Sequence, residues 1–290
     1  MMIKNTNDGS KNAPSLRIDI NYGTCEDLPS FSTGPKGNDR EKHIRIVKAG
    51  FQGIQDGNPE LCKEFGLQLT AHARINDVGD LDELAPKWNA ENYNCATIHL
   101  GWGIESDEKV DELVKYVLEI SSKFDFPIYI ETHRATITQD IFRTVELTKR
   151  FPEIRFNGDF SHWYTGQEMV YGGIENKLNF IQPIFDRVRF MHGRIGNPGS
   201  IQVDVKNDIN LEYVNHFKKM WKRSFIGFLK TAEPGDYICF TVELLKAEIF
   251  YARTIPNGSG IEQEEGDRWQ QALLYKEIIE ECWRNAKQEM

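Results

Sequence analysis

Residues 127–134 read PIYIETHR, a short apolar run that ends on the ionisable side chain of Glu131. The arrangement recurs in three later stretches, which are RFNGDFSHW (155–163, reaching Asp159), VRFMHGRIG (188–196, reaching His192) and YICFTVELL (237–245, reaching Glu243). Near-continuous apolar strands are typical of a parallel sheet that is covered on both faces. The pattern therefore predicts parallel strands that carry ionisable side chains at their carboxyl ends.

Strand-like runs alternate with segments of helical period along the chain. Eight strands are predicted, at Arg17–Tyr22, Gly53–Gln55, Leu67–His72, Ala96–Leu100, Pro127–Glu131, Arg155–Asp159, Val188–His192 and Tyr237–Glu243. Helices are predicted at Asp107–Phe124, Asp140–Phe151, Asn176–Phe185, Leu211–Leu229 and Asp267–Ala286. In the first of these helices, Val110, Leu113, Val114, Val117 and Leu118 recur at the spacing of one apolar face.

Eight strand–helix units in a chain of 290 residues predict a single-domain α/β fold, the (β/α)8 TIM barrel. We expect the barrel to span residues 16–290 and residues 1–15 to form a flexible tail. The main rival is an open, doubly wound sheet. That fold favours a glycine-rich phosphate turn after its first strand, and NYGTCEDLPSFSTGPKG (21–37) lacks the GxGxxG spacing.

The composition argues against nucleic-acid-binding, membrane-spanning and secreted proteins. Lys and Arg total 35 and Asp and Glu total 44, a formal charge of −9 that disfavours nucleic acid as a partner. The absence of an apolar run of about 18 residues argues against a membrane span, and the polar amino terminus is unlike a secretory signal. Five scattered cysteines without a CxxC pair fit a reduced, cytoplasmic protein.

The four strand-end residues form a set with metal-ligand character. Any one of them alone would be an ordinary cap or structural residue, but Glu131, Asp159, His192 and Glu243 close successive strands. Three carboxylates and one imidazole make an oxygen-rich site that suits one divalent ion. We expect Mn²⁺ first, with Mg²⁺, Co²⁺ and Zn²⁺ as alternatives.

The ordered succession ETHR, DFSHW, MHGRIG and VELL resembles the xylose-isomerase-like TIM-barrel superfamily over residues 17–285. This superfamily contains sugar phosphate isomerases and epimerases and shares the fold of AP endonuclease family 2. In its ketose 3-epimerase branch, the resemblance implies that Glu131, Asp159, His192 and Glu243 bind the metal. It also implies that Glu131 and Glu243 serve as catalytic acid and base.

The resemblance implies substrate contacts as well. The histidine of the Asp-x-x-His motif, His162, would contact substrate oxygens, and Arg194 is the nearest candidate for a substrate-holding arginine. Its His-Gly-Arg spacing departs from the epimerase pattern. Trp102 and Trp163 are our choices for pocket walls, since flat aromatic faces pack against sugars.

His72 and His99 follow the two preceding strands, in LQLTAHAR and ATIHLGWG. We interpret them as substrate-pocket residues, second-metal ligands or structural histidines. In the AP endonucleases, histidines of these strands bind additional zinc. Those enzymes also have an Asp-x-His motif after strand seven, whereas here Asp204 is followed by no histidine before His216.

The function predicted from these residues is metal-dependent isomerisation or epimerisation of a sugar or sugar phosphate. The proton would be abstracted next to a carbonyl, with the metal stabilising the enediolate. A dehydratase of the inosose or dehydroshikimate type, a zinc phosphodiester hydrolase and a non-catalytic sugar-binding barrel are the alternatives. The sequence leaves the substrate and the homo-oligomeric state open.

Overall fold

The computed structural model describes residues 2–205 and 208–290. Eight parallel strands run through it, and they are β1 (Ser15–Asn21), β2 (Gly53–Gln55), β3 (Gln68–Ile75), β4 (Ala96–Leu100), β5 (Ile128–Glu131), β6 (Phe156–Gly158), β7 (Val188–Gly193) and β8 (Asp236–Val242). Each strand pairs with the next in parallel, and β8 pairs with β1 through the register Leu16–Ile238 to Ile20–Val242. The sheet is therefore closed, which confirms the predicted (β/α)8 barrel over the open-sheet rival.

Helices surround the barrel. They are α1 (Asp39–Lys48), α2 (Pro59–Phe65), α3 (Leu84–Ala90), α4 (Asp107–Lys123), α5 (Ile141–Arg150), α6 (Ser161–Gly166), α7 (Ile174–Phe180), α8 (Gln182–Phe185), α9 (Glu212–Leu229) and α10 (Arg268–Glu289). Most of their ends follow from local chemistry. Ser106 caps α4 by accepting a hydrogen bond from the Lys109 amide, and Asp140 caps α5 in the same way through Arg143.

The predicted helix Asn176–Phe185 is in fact two helices, α7 and α8. Pro183 lies in the first turn of α8. A proline deeper in a continuous helix would remove one backbone hydrogen bond and clash with the preceding turn, so the chain restarts its helix just before this residue.

The amino-terminal segment packs on the barrel instead of extending from it as the tail that we expected over residues 1–15. Thr6–Asn7 pairs antiparallel with the start of β8, and Ile3 is buried among Cys95, Tyr129 and Phe190. The Asn5 side chain donates to Asp236 at 2.7 Å and accepts from Arg189 at 2.6 Å. The sequence pattern missed this segment because one buried isoleucine among polar residues has no periodicity.

Two further findings concern the whole chain. The five cysteines are free, buried thiols. Among the described residues, no helix combines the length and the apolar character that a bilayer crossing demands.

We predict that Ile3→Ala lowers the free energy of unfolding by about 2 kcal/mol, because it removes a buried side chain that closes the amino-terminal end of the barrel. Urea unfolding followed by circular dichroism measures the change. Ile261→Ala is the matched control, because Ile261 is 64% exposed and should change stability by less than about 0.5 kcal/mol. If Ile3→Ala lowers the free energy of unfolding as little as Ile261→Ala does, the Ile3 side chain contributes nothing to the stability of the fold.

Candidate active site

The four predicted ligands lie at one end of the barrel. Glu131 is the last residue of β5, Asp159 follows β6, His192 lies within β7 and Glu243 follows β8. All four side chains are buried, and Glu243 is the most exposed at 8%. Because the strands are parallel neighbours in a closed sheet, their carboxyl ends meet at this edge and bring the four side chains together.

His192 is the centre of the group. Its Nδ1 lies 3.3 Å from Oε2 of Glu131 and 3.3 Å from Oε2 of Glu243. Its Nε2 lies 2.8 Å from Oε1 of Gln55, whose Nε2 donates to Thr97 at 2.9 Å. Since Thr97 orients the Gln55 amide with its oxygen toward the imidazole, Nε2 of His192 donates a hydrogen bond to that oxygen. Nδ1 is thereby the nitrogen that faces the carboxylates.

The electrostatics of the group follow from burial and opposing charge. Burial alone would lower the pKa of His192, but the Glu243 and Glu131 carboxylates outweigh it and raise that pKa to about 9. Burial would likewise raise the pKa of Glu131. His192 and His99 reverse this effect and hold the pKa well below its usual range, so Glu131 is ionised at neutral pH.

The two carboxylate oxygens of Asp159 differ in their hydrogen bonding. Its Oδ1 accepts hydrogen bonds from the Ser161 amide at 3.0 Å and the Ser161 hydroxyl at 2.5 Å. Its Oδ2 lies 3.3 Å from Nη2 of Arg194 and 3.4 Å from Nε2 of His162, and no hydrogen bond reaches it from the described residues. Arg194 and His162 outweigh the effect of burial and lower the pKa of this carboxyl.

Arg194 reaches into the site beside the ligands. It follows His192 by two residues on an extended segment, so both side chains point to the same side of the sheet. Its Nη2 pairs with Glu243 Oε2 as well as with Asp159 Oδ2, and its Nε donates to the Glu243 carbonyl at 3.1 Å. A fully buried guanidinium therefore bridges two of the predicted metal ligands.

Within residues 2–205 and 208–290, three groups of side chains have ligand atoms within 4.8 Å of one another, and each contains Glu131. The groups are Glu131, Asp159 and His192; Glu131, His133 and His162; and His72, His99 and Glu131. The first group holds three of the four predicted ligands. Glu243 joins it through its contact with His192 Nδ1.

Four histidines form a continuous column of ring contacts along the ends of β3 to β6. The ring centroids are 4.4 Å apart for His72 and His99, 3.8 Å for His99 and His133, and 3.8 Å for His133 and His162. His99 also reaches Glu131 Oε1 at 3.2 Å. The structure thus brings the predicted substrate residues His72, His99 and His162 beside the ligand group.

The two predicted pocket tryptophans differ in position. Trp102 is 51% exposed, and the Arg74 guanidinium lies 4.2 Å over its ring. Trp163 is fully buried, and its indole nitrogen donates to the Thr138 carbonyl at 2.8 Å. Its side chain is part of the barrel core and forms no open wall, because the first four residues of α6, Ser161 to Tyr164, are all buried.

Several site residues were not singled out from the sequence, namely Asn21, Gln55, Asp56, Asn157 and Tyr251. Asn157 precedes Asp159 by two residues and donates to Glu131 Oε2 at 2.9 Å, so period-two alternation is a signal that would have found it. Asn21 and Gln55 end β1 and β2, but uncharged amides do not stand out in a sequence. Burial raises the pKa of Asp56 to about 7.

Tyr251 comes from the long segment between β8 and α10, which contains the hairpin Thr254–Pro256 and Glu262–Glu264. Its ring covers the Arg194 guanidinium at 4.4 Å, and its hydroxyl lies 3.3 Å from Nε2 of His133. Nothing in the sequence indicates that this segment folds back over the site.

Comparison of the fold with solved structures identifies xylose isomerase-like barrels. A xylose isomerase-like TIM-barrel protein from Mycobacterium smegmatis in complex with magnesium aligns at TM-score 0.57 and 10% identity, over 92% of this chain and 97% of that one. A D-tagatose 3-epimerase-like protein aligns at TM-score 0.56 and 12% identity, over 94% and 99%. The probable 3-DHS dehydratase AsbF from Bacillus anthracis aligns at TM-score 0.53 and 16% identity, over 80% and 94%.

These likenesses confirm the predicted fold resemblance, and at such identities they concern the fold alone. By sequence, neither the protein-family models nor the curated proteins include a match. The catalytic and binding roles of the individual side chains stay predictions.

We predict that His133 steepens the acid side of the stability profile. Burial and the adjacent His162 lower the pKa of His133 from 6.5 to about 2. Below about pH 6.5 the unfolded chain binds a proton that the folded chain refuses, so stability falls as the pH falls. Between pH 6.5 and pH 5 this one group should remove about 2 kcal/mol from the free energy of unfolding.

His133→Asn should flatten the profile by that amount over the same interval, whatever its effect at pH 7. Urea unfolding at pH 7.0, 6.5, 6.0, 5.5 and 5.0, each about half a unit apart, measures both proteins. Parallel profiles would show that folding does not lower the pKa of His133.

Proposed function

We propose that this chain is a divalent-metal-dependent enzyme that isomerises or epimerises a sugar or sugar phosphate by moving a proton next to a carbonyl. One observation carries the proposal. Glu131 and Glu243 both lie 3.3 Å from Nδ1 of His192, with Asp159 in the same group, at the carboxyl end of a closed parallel barrel. Barrels of this architecture hold their active sites at that end.

The donor set fits a divalent ion. Glu131, Asp159, His192 and Glu243 would hold it. Asp159 Oδ2 is a buried anionic oxygen that accepts no hydrogen bond from the described residues. Gln55 holds Nε2 of His192, so Nδ1 is the nitrogen that can bind the ion once it gives up its proton. Such an ion, when bound, polarises a substrate carbonyl and stabilises the negative charge that develops on its oxygen.

The protein groups supply the proton transfer. Glu131 is ionised and buried, so it can accept a proton from a carbon beside the carbonyl. His99 and Asn157 each donate to one of its oxygens and fix its orientation. Glu243 lies at the same distance from His192 Nδ1 and is the group that would return the proton to the opposite face in an epimerisation.

Other residues bind the substrate and exclude water. Both ring nitrogens of His162 are buried and have no hydrogen-bond partner among the described residues, so the ring is available to a substrate hydroxyl. Trp102 is exposed at the edge of the site and offers a flat face to a sugar ring. Tyr251 covers Arg194 and separates the buried carboxylates from solvent.

A dehydratase acting on the same site is the second candidate. The His162 ring beside Asp159 favours it, because both ring nitrogens lack a hydrogen-bond partner among the described residues and can hold the hydroxyl that departs. The fold likeness to the probable dehydratase AsbF agrees with this candidate without deciding for it. The substrate is a small molecule in either case, and a cytoplasmic location stays part of the proposal.

We predict that the protein dialysed against a chelator and then reloaded contains about one divalent ion per chain, because the four ligand residues form one group around His192. Elemental analysis with Mn²⁺, Mg²⁺, Co²⁺ and Zn²⁺ gives both the stoichiometry and the preferred ion. Two or three zinc ions per chain would favour the phosphodiester hydrolase instead.

We predict that Glu131→Gln and Glu243→Gln each reduce catalysed solvent exchange by at least about 100-fold, since each removes a group that transfers the proton. The loaded enzyme is incubated in deuterium oxide with ketoses, sugar phosphates and cyclitols, and proton resonance detects exchange at the carbon beside the carbonyl. Exchange accompanied by the formation of a new sugar supports the isomerase. Formation of a product that has lost water supports the dehydratase.

The matched control is Glu248→Gln, the same chemical change on an exposed residue after the same strand. It should exchange at the wild-type rate. Undiminished exchange in Glu131→Gln and Glu243→Gln would refute the proposed acid and base.

A further inference from the structure

Arg194 occupies an unusual place for an arginine. Its side chain is 1% exposed and its Nη2 contacts carboxylate oxygens of both Glu243 and Asp159. Of these oxygens, Glu243 Oε2 also lies 3.3 Å from His192 Nδ1, and Asp159 Oδ2 accepts no hydrogen bond from the described residues, so both are placed to bind a cation beside His192. Because a guanidinium and a metal ion both neutralise carboxylates, they cannot fully occupy the same oxygens at once.

The balance of charge around the site explains why a guanidinium is held there. Three buried carboxylates, Glu131, Asp159 and Glu243, lie within one group, and buried like charges repel strongly. Arg194 adds one positive charge that is shared between two of them. Without it, folding in the absence of metal would require some of these carboxylates to take up protons.

The Arg194 guanidinium is hydrogen-bonded at Nε but not at Nη1 among the described residues. Its Nε donates to the Glu243 carbonyl at 3.1 Å, and the Tyr251 ring covers the guanidinium at 4.4 Å. Its Nη1 is buried and has no hydrogen-bond partner among the described residues. A buried donor without an acceptor is costly, so this position does not satisfy the whole guanidinium.

We infer that Arg194 is an internal counter-cation that a divalent ion displaces from Glu243 and Asp159 when it binds. Arg194 then stabilises the metal-free fold and weakens metal binding, because the ion must break the Arg194 contacts to gain its two carboxylate ligands. The inference rests on the proposed function only in assuming that these four residues bind a divalent ion. It concerns no step of the reaction.

Displacement demands little of the main chain. The guanidinium is planar and rigid, so Nη2 leaves both carboxylates by rotation about the aliphatic side-chain bonds of Arg194, with loss of the Nε hydrogen bond to the Glu243 carbonyl. The displaced terminal nitrogens remain at the site. There they carry a positive charge next to the ion and lower its affinity further.

The experiment titrates Mn²⁺ into chelator-treated protein by isothermal calorimetry, for the wild type, Arg194→Met, Arg194→Lys and Arg134→Met. Arg194→Met removes the competitor and should bind Mn²⁺ at least about tenfold more tightly than the wild type. Arg194→Lys keeps the charge but loses the planar fork that reaches two carboxylates, so it should bind with intermediate affinity.

Arg134→Met is the matched control. The Arg134 guanidinium also lies over the Tyr251 ring, at 5.1 Å, but its side chain is exposed. The loss of one positive charge near the site is common to both methionine variants, and only Arg194→Met removes a carboxylate bridge. Arg134→Met should therefore bind Mn²⁺ within about twofold of the wild type.

Thermal unfolding supplies a second readout that does not depend on activity. Metal-free Arg194→Met should unfold at a Tm at least about 3 °C below the wild type, and saturating Mn²⁺ should abolish the difference. If Arg194→Met does not fold, Arg194→Lys decides the matter through its Mn²⁺ affinity, and an affinity equal to that of the wild type overturns the inference.

The outcomes separate the two proposals. Wild-type binding with no gain in the Arg194 variants overturns the counter-cation and leaves the metal-dependent function standing. If neither the wild type nor any variant binds Mn²⁺, both the counter-cation and the metal-dependent function are overturned. Binding by Arg194→Met alone supports the counter-cation and refutes metal dependence for the natural chain.

Discussion

The structure depends on the neutralisation of three carboxylates that the barrel forces together. The parallel strands of the closed barrel bring Glu131, Asp159 and Glu243 to one edge, where all three side chains are buried. An uncompensated buried charge destabilises a fold by several kcal/mol, and three in one group would be prohibitive. His192 and Arg194 lie between these carboxylates and supply the opposite charge, so the choice of residues at β7 is tied to the choice at β5, β6 and β8.

Neutral amides complete this arrangement without adding charge. Asn21, Gln55 and Asn157 come from β1, β2 and β6, and each makes a hydrogen bond to a carboxylate or to His192. Because an amide has a donor at one end and an acceptor at the other, Gln55 can orient the imidazole while it donates to Thr97. A charged residue in the same position would upset the balance that His192 and Arg194 provide. The unremarkable ends of the first two strands are therefore part of the site.

Much of the fold and the ligand group could be predicted from the sequence, because both depend on short-range periodicity. Buried parallel strands are apolar runs, so an ionisable residue at the end of one, such as Glu131, is conspicuous. Side chains two residues apart on a strand lie on the same face of the sheet, which accounts for the position of Arg194 beside His192. Tyr251 and Ile3 escaped prediction because their positions depend on how irregular segments return to the barrel, and no local pattern determines that. Trp163 was placed on the correct segment, but whether its ring points into the core or the pocket depends on the path of α6.

Among the described residues, buried polar atoms without a hydrogen-bond partner are concentrated at the carboxyl end of the barrel, although Arg155 Nε near the amino-terminal end also lacks one. Near the amino-terminal end, Arg17 pairs with Asp19 and also donates to Asn94 and Tyr237. At the carboxyl end, the buried polar atoms without a hydrogen-bond partner among the described residues include Asp159 Oδ2, both ring nitrogens of His162 and Arg194 Nη1. Since an unsatisfied buried polar atom lowers stability, a fold retains several in one place only when something else satisfies them. The Arg17–Asp19 ion pair and the apolar cluster around Ile3 stabilise the amino-terminal end of the barrel. That stability allows the carboxyl end to retain buried donors and acceptors that a bound ligand would satisfy.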